Sequence, residues 1–180
     1  NDYILFGVYV GFDVIFFCAN VGQGEEAFEE IKAKAVACGA IKCVVEDLRE
    51  EFVVDCVIPF IKSNAIYESR YLMGTSIARP VITKAQVNIA KREGAKYVAH
   101  GATGKGNDQV RFEMGAMALD ASLTCIAPWR DPEFITKFKG RKELLDYAAK
   151  HDIRVDAKPK ANYSIDANLF HISYESGMLE

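Results

Sequence analysis

Apolar residues along the chain follow two rhythms: short unbroken runs, and longer stretches where they recur every three or four positions. Residues 13–19, DVIFFCA, are a continuous apolar and aromatic run of the kind a buried strand presents. The run breaks at a turn over residues 20–24, NVGQG. Residues 25–38 then mix charge with Phe28, Ile31 and Ala35 at helical spacing, with acids in the first turn and Gly39 as the stop. Residues 42–45 read as a second strand. Asp47 and Glu50 open a further helix with Phe52, Val53, Val57 and Phe60 on its inner face, and Pro59 is placed to kink or end it. Next, Gly74-Thr75-Ser76 offers a hydroxyl N-cap for a helix running to Arg92, with Pro80 early in it and Gly94 as its stop. Residues 96–99 and 124–127 predict a third and a fourth strand, and residues 141–150 a short amphipathic helix.

Strands alternating with helices of about 15 residues predict an α/β fold, a parallel sheet with helices on both faces. Ligands of such sheets bind beyond the carboxyl ends of the strands. Gly22-Gln23, the stretch after Ala99 and Trp129-Arg130 all lie there, so they should converge on one face. The middle one, residues 100–113, HGATGKGNDQVRFE, places Gly101, Gly104 and Gly106 just ahead of a helix start. Glycine lets backbone turn tightly and approach a ligand, and free N–H groups at a helix N-terminus favour an anion. A plain strand-to-helix connection would use glycine in the same way. Neither familiar phosphate fingerprint fits. Gly106 stands where a P-loop needs Ser or Thr after Lys105, and the glycine spacing is not that of a dinucleotide fold. The stretch reads as a phosphate or carboxylate cradle of another type.

Composition narrows this only slightly. The chain has 180 residues, enough for one domain with a sizeable core, and half of it is hydrophobic. A net charge of −3 weighs against nucleic acid held by bulk electrostatics. No apolar run approaches the roughly 18 residues of a membrane span, and residues 1–10 lack the marks of a signal peptide. Cys18, Cys38, Cys43, Cys56 and Cys125 are odd in number and scattered, which fits reduced thiols in a cytoplasmic protein. His100, His151 and His171 are isolated in sequence, so no resident metal is expected. Residues 157–180 are more polar than the rest and depart from the strand–helix pattern.

Several strings, taken in order, resemble the argininosuccinate synthase family of the N-type ATP pyrophosphatase group. They are ANVGQ (19–23), RYLMGTSIARP (70–80), EGAKYVAHGATGKGNDQVRFE (93–113), IAPWRDPEF (126–134), FKGR (138–141) and HISYESGMLE (171–180). The resemblance implies an adenine nucleotide alpha hydrolase-like, Rossmann-type three-layer domain over residues 1–156. Residues 157–180 would then lead toward a synthetase and tetramerisation domain. It also implies a reaction in which ATP, carrying Mg2+ on its phosphates, activates citrulline as citrullyl-AMP. Aspartate then displaces AMP to give argininosuccinate, with pyrophosphate as the other product.

Carried over by position, Ala19, His100, Gly101, Ala102, Thr103, Gly104, Lys105, Gly106 and Asn107 would bind ATP. Tyr71, Ser76, Asn107, Arg111, Ser164 and Ser173 would bind citrulline, and Thr103, Asn107 and Asp108 aspartate. No residue is assignable as an acid or base. Asp108 and Arg111, three apart, share a helix face and offer opposite charges to an amino-acid zwitterion, although an intrahelical pair explains them as well. The implied partners are these small molecules and, for the full-length family member, a homotetramer, with no nucleic acid and no membrane. A non-catalytic adenine-nucleotide-binding module of the same fold is the alternative. The family's Ser-Gly-Gly-Leu-Asp-Thr pyrophosphate loop and larger second domain have no counterpart in these residues. The chain therefore reads as a partial N-terminal domain, a relative that binds without catalysing, or one completed by a partner. Each reading leaves it inactive alone.

Overall fold

Phe16 and Phe17 leave one strand on opposite sides, and that alternation sets up the layers. The computed structural model describes residues 11–24, 28–153 and 164–175. Strand β1 (Ile15–Asn20) pairs in parallel with β2 (Lys42–Asp47). On one face Phe17 and Ala19 pack with Val21, Leu48, Phe52, Val57, Ala78, Val81 and Ala85. On the other, Val14, Phe16 and Cys43 pack with Ala35, Cys38, Ala148 and Ile153. The first face is covered by α2 (residues 49–62) and α3 (Gly74–Glu93), the second by α1 (Phe28–Ala37) and α6 (Arg141–Lys150). This is the expected α/β architecture with helices on both faces. Residues 25–27, predicted as the first turn of α1, lie outside the described residues.

Helix α2 runs without a break through Arg49–Glu51, a π-helical Phe52–Val57 and Ile58–Lys62. Pro59 does not end it. The irregularity falls one turn earlier, where the Ile58 N–H donates to the Val53 carbonyl across five residues. The wider turn has a packing consequence. Phe52 and Val57 are both buried, yet five residues apart in an α-helix they would point about 140° away from each other.

Helix α3 departs from expectation at its start. Its cap residue is Met73 in the left-handed region at φ 54°, with no side-chain cap. Thr75 and Ser76 sit inside the first turn instead, and Thr75 is buried. Pro80 is the seventh residue and exposed, and the helix continues past it to a left-handed Gly94. Strand β3 (Tyr97–Ala99) follows, then α4 (Asn107–Leu119) and β4 (Thr124–Ile126), which pairs in parallel with β3. Val87 and Ala90 of α3, Val98, and Ala116 of α4 form the core of this half. Among the described residues the two parallel pairs are separate ladders rather than one sheet.

After β4, a 3-10 turn over Pro128–Arg130 leads into α5 (Pro132–Lys137). Phe134 and Phe138 are buried there at a centroid separation of 4.8 Å. Strands β5 (Ser164–Ala167) and β6 (Ile172–Glu175) form an antiparallel hairpin. It returns to the body of the domain: the Leu169 N–H donates to the Val21 carbonyl at 2.9 Å. Residues 154–163 and 176–180 lie outside the described residues, and with them half of the polar segment 157–180. No helix among the described residues is long and apolar enough to cross a membrane.

Helices α3 and α4 approach closely. A Cβ on Gly115 would lie 3.0 Å from Thr83 Cγ2, and Thr83 has no exposed surface. Gly115→Val should therefore cost about 1–3 kcal/mol through overpacking. Phe52→Ala, at 0% exposure, should cost about 3–5 kcal/mol through the cavity it leaves. Urea unfolding of each variant against the parent checks both, and a midpoint unchanged by Gly115→Val would rule out the close helix contact.

Candidate functional site

Thr75, Arg79 and Thr83 fall four residues apart and form a polar stripe along one side of α3. Each has a specific partner. The Thr75 hydroxyl lies 3.4 Å from the Ser173 hydroxyl of β6. The Thr83 hydroxyl donates to the Arg79 carbonyl at 2.8 Å. Arg79 reaches across to α4, where its Nε and Nη2 meet Asp108 Oδ2 at 2.8 and 2.6 Å. Nη2 also lies 3.8 Å from Asp166 of β5, and the guanidinium sits 5.7 Å from the centre of the Phe112 ring.

Asp108 is shared. Its Oδ1 accepts from Arg111 Nη1 at 2.7 Å, so the intrahelical pair is present and a second arginine joins it. These side chains keep between 21% and 32% of their exposure, too buried to be a screened surface pair and open enough for a ligand to reach. Arg79 is the residue the motif reading left unassigned. The signal that could have found it is the four-residue spacing of Thr75, Arg79 and Thr83.

Leading into α4, the glycine stretch is a loop closed by the Gly106 N–H donating to the Thr103 carbonyl at 3.2 Å. A Cβ on Gly104 would collide with the Trp129 carbonyl, so the loop can back onto the turn after β4 only with glycine there. Gly106 caps α4 without a side-chain hydrogen bond, so the first-turn N–H groups have no side-chain cap. Gly101, Thr103, Lys105 and Asn107 are exposed; Ala102, Gly104 and Gly106 are half-buried. The loop is thus an open helix N-terminus with a lysine beside it.

His100 sits beneath the loop. It is 91% buried by the complement of its 9% exposure, and its ring stacks on Phe112 at 5.4 Å. Its Nδ1 accepts from the Ala102 N–H at 3.3 Å, and its Nε2 lies 3.7 Å from Glu113 Oε1. Burial dominates at His100 and lowers its pKa against the pull of Glu113. Burial also works against charge on Glu113, yet hydrogen bonds from Arg130 and Gln109 outweigh it and hold that carboxyl below its usual value. Cys125 lies in the same corner, where burial pushes its thiol up to about 11. This grouping was not legible in the sequence, where the three residues lie 12 or more positions apart.

The remaining candidates flank this centre. Ala19 is half-buried at the carboxyl end of β1, where its carbonyl accepts from Gln23 Nε2 at 2.7 Å. Tyr71 is presented by a tight loop in which Tyr67 and Tyr71 exchange backbone hydrogen bonds, both 2.9 Å. Glu68, Ser69 and Met73 in and beside that loop take left-handed φ of 50°, 58° and 54°. Tyr71 meets the His171 ring edge-on at 5.4 Å. Ser76 is half-buried in the first turn of α3, and Ser164 enters β5 opposite Glu175. The structure therefore joins Ser173 to the start of α3, and joins Asp108 and Arg111 to its second turn through Arg79. Gly22 and Gln23, predicted to share one face with the glycine stretch and Trp129-Arg130, close the turn after β1, where the hairpin meets Val21.

If Arg79 and Asp108 act as one unit, removing either should remove most of what both contribute. A double-mutant cycle of Arg79→Gln and Asp108→Asn should give a coupling of about 1–3 kcal/mol in urea unfolding. A coupling near zero would make the pair incidental.

Comparison with known proteins places the chain. A model described as the arginosuccinate synthase N-terminal HUP domain matches residues 4–154. Proteins named argininosuccinate synthase are 59% identical in Danio rerio, 56% in Homo sapiens and 58% in Thermotoga petrophila, each over 170 residues. That alignment takes in 94% of this chain but 41% of each relative, so the chain spans about two fifths of the proteins it matches.

Proposed function

The chain belongs to the argininosuccinate synthase family, matching its N-terminal HUP domain, and on that premise we propose that it carries the nucleotide and amino-acid sites of an ATP-dependent C–N ligase. The reaction joins citrulline and aspartate into argininosuccinate by way of citrullyl-AMP and releases AMP and pyrophosphate. The carrying observation is that the glycine loop runs directly into the start of α4, which holds Asp108 and Arg111, while Arg79 reaches Asp108 from α3. A phosphate site and a zwitterion site are thereby held side by side.

In this reading the first-turn N–H groups of α4 and Lys105 face the nucleotide phosphates, with His100 to Gly106 and Ala19 shaping that side. Asp108 and Asn107 offer a carboxylate and an amide to an amino-acid ammonium. Arg111, with Arg79 behind Asp108, offers guanidinium to a carboxylate. Thr103 at the loop stands between the two sides. Tyr71, Ser76, Ser164 and Ser173 bound the citrulline side, where the Thr75–Ser173 contact ties the hairpin to α3.

Activation by adenylation asks little of a general base. The citrulline ureido oxygen attacks phosphorus directly, and the barrier falls through positioning and charge neutralisation. Mg2+ would supply part of that neutralisation. The closest three-residue donor group among the described residues contains an imidazole and a thiol. Mg2+ prefers hard oxygen donors, so it belongs on the phosphates rather than on that group. The cytoplasm and a homotetrameric assembly complete the proposal.

Calorimetry on this chain should show ATP binding, followed by citrulline and aspartate binding. Gly104→Ala should weaken ATP binding by forcing the loop off Trp129. Asp108→Asn should weaken aspartate binding about tenfold or more, the worth of one charged hydrogen bond, and leave ATP affinity nearly unchanged. ATP binding with no response to either amino acid would instead support the non-catalytic nucleotide-binding module.

A further inference from the structure

The geometry points to a binding site for a thiophilic divalent cation, with Zn2+ as the representative ion, formed by His100, Glu113 and Cys125 behind the glycine loop. One donor atom from each of the three lies within 4.8 Å of the other two. The His100 side chain is 5% exposed, and its Nε2 is buried with no hydrogen-bond partner. Stacking on Phe112 holds the ring so that this nitrogen faces Glu113 Oε1 at 3.7 Å, beyond hydrogen-bond length. A buried polar atom left this way ordinarily has a reason.

The carboxylate is divided in a useful way. Glu113 Oε2 is taken by Arg130 Nη1 at 2.6 Å, which leaves Oε1 to face the histidine. Cys125 is held in register by the ladder, since it pairs with Val98 of β3, two residues before His100. The His100 N–H donates to the Ile126 carbonyl at 3.2 Å, which locks that neighbourhood further. A cavity of about 520 Å³ lined in part by Gly104, Glu113, Cys125 and Arg130 provides entry from solvent.

Nitrogen, oxygen and sulfur donors from three residues, with a fourth position open, match zinc rather than magnesium or calcium. Bond lengths of about 2.0 Å to N and O and 2.3 Å to S put neighbouring donors of a tetrahedral site roughly 3.3–3.8 Å apart. The observed cluster therefore needs to close by about 1 Å, within the reach of small side-chain rotations. Cys125 gives its proton to solvent through the cavity as the S–metal bond forms. The imidazole proton, on Nε2 while Nδ1 accepts from Ala102, leaves Nε2 and Nδ1 takes one up from solvent; no other bond changes.

Coordination has one consequence for the loop. Nε2 can bind a cation only through its lone pair, which places the imidazole proton on Nδ1. The Ala102 N–H now pointing at Nδ1 would then meet a proton and must turn away. Cation binding and that hydrogen bond exclude each other, so the site is coupled to the loop backbone.

The test is titration of the whole chain with Zn2+ by calorimetry, with Co2+ as a spectroscopic substitute. One equivalent should bind, and the Co2+ complex should show a thiolate-to-metal charge-transfer band. Cys125→Ser should lose that band and weaken Zn2+ binding by at least the ~10–100-fold that even an outer-shell change costs. Cys56→Ser, in another part of the fold, should change neither. The Ala102 amide resonance should shift on Zn2+ addition. Unchanged affinity in Cys125→Ser, or a Co2+ spectrum without a thiolate band, overturns the site. The Co2+ spectrum of the unsubstituted chain decides the matter even if the Cys125→Ser variant fails to fold.

Discussion

The contact between Thr83 and Gly115 sets the spacing on which the rest of the site depends. Two helices can come this close only where one side contributes no side chain, and Gly115 meets that need at 3.0 Å from Thr83 Cγ2. Thr83 lies one helical turn below Arg79 and hydrogen-bonds its carbonyl. That spacing brings Arg79 to Asp108, seven residues before Gly115 and on the same side of α4 by two turns. A larger residue at the contact would separate the helices and part the ion pair above it. Packing in the core and charge at the surface are consecutive turns of one interface.

The ion pair in turn explains the balance of charge at the open end of α4. Asp108 alone would place a negative charge beside the helix N-terminus, where it would compete with an anionic ligand. Two arginines on its oxygens offset that charge. Asp166 approaches Arg79 from the hairpin at 3.8 Å and ties β5 to the same group. The hairpin thus meets the domain through Asp166, Ser173 and the Leu169 backbone, on three separate partners.

Much of this was legible in the chain. The apolar run at 13–19 became β1, the glycine at 94 ended α3 in the left-handed region, and the helix over 141–150 formed as its pattern predicts. Local signals succeed where backbone geometry and burial agree within one turn. They failed at the start of α3, where the hydroxyls of Thr75 and Ser76 read as caps. Thr75 turned inward because Ser173, 98 residues away, offers it a partner. At Pro59 the helix does not end but runs on to Lys62, and the π turn just before it lets Phe52 and Val57 both be buried.

The sequence by itself determined the α/β class, the order of elements, the glycine loop opening onto a helix and the family to which those strings belong. Each rests on residues that act through their neighbours in the chain, by periodicity, by left-handed glycine or by a missing donor. Tertiary structure alone decided that Arg79 completes the Asp108 cluster, and that His100, Glu113 and Cys125 meet in one corner. It also decided that the hairpin reaches the first turn of α3. Those groupings join residues from different helices and strands, and only the distances set by packing bring their charges and donor atoms within range.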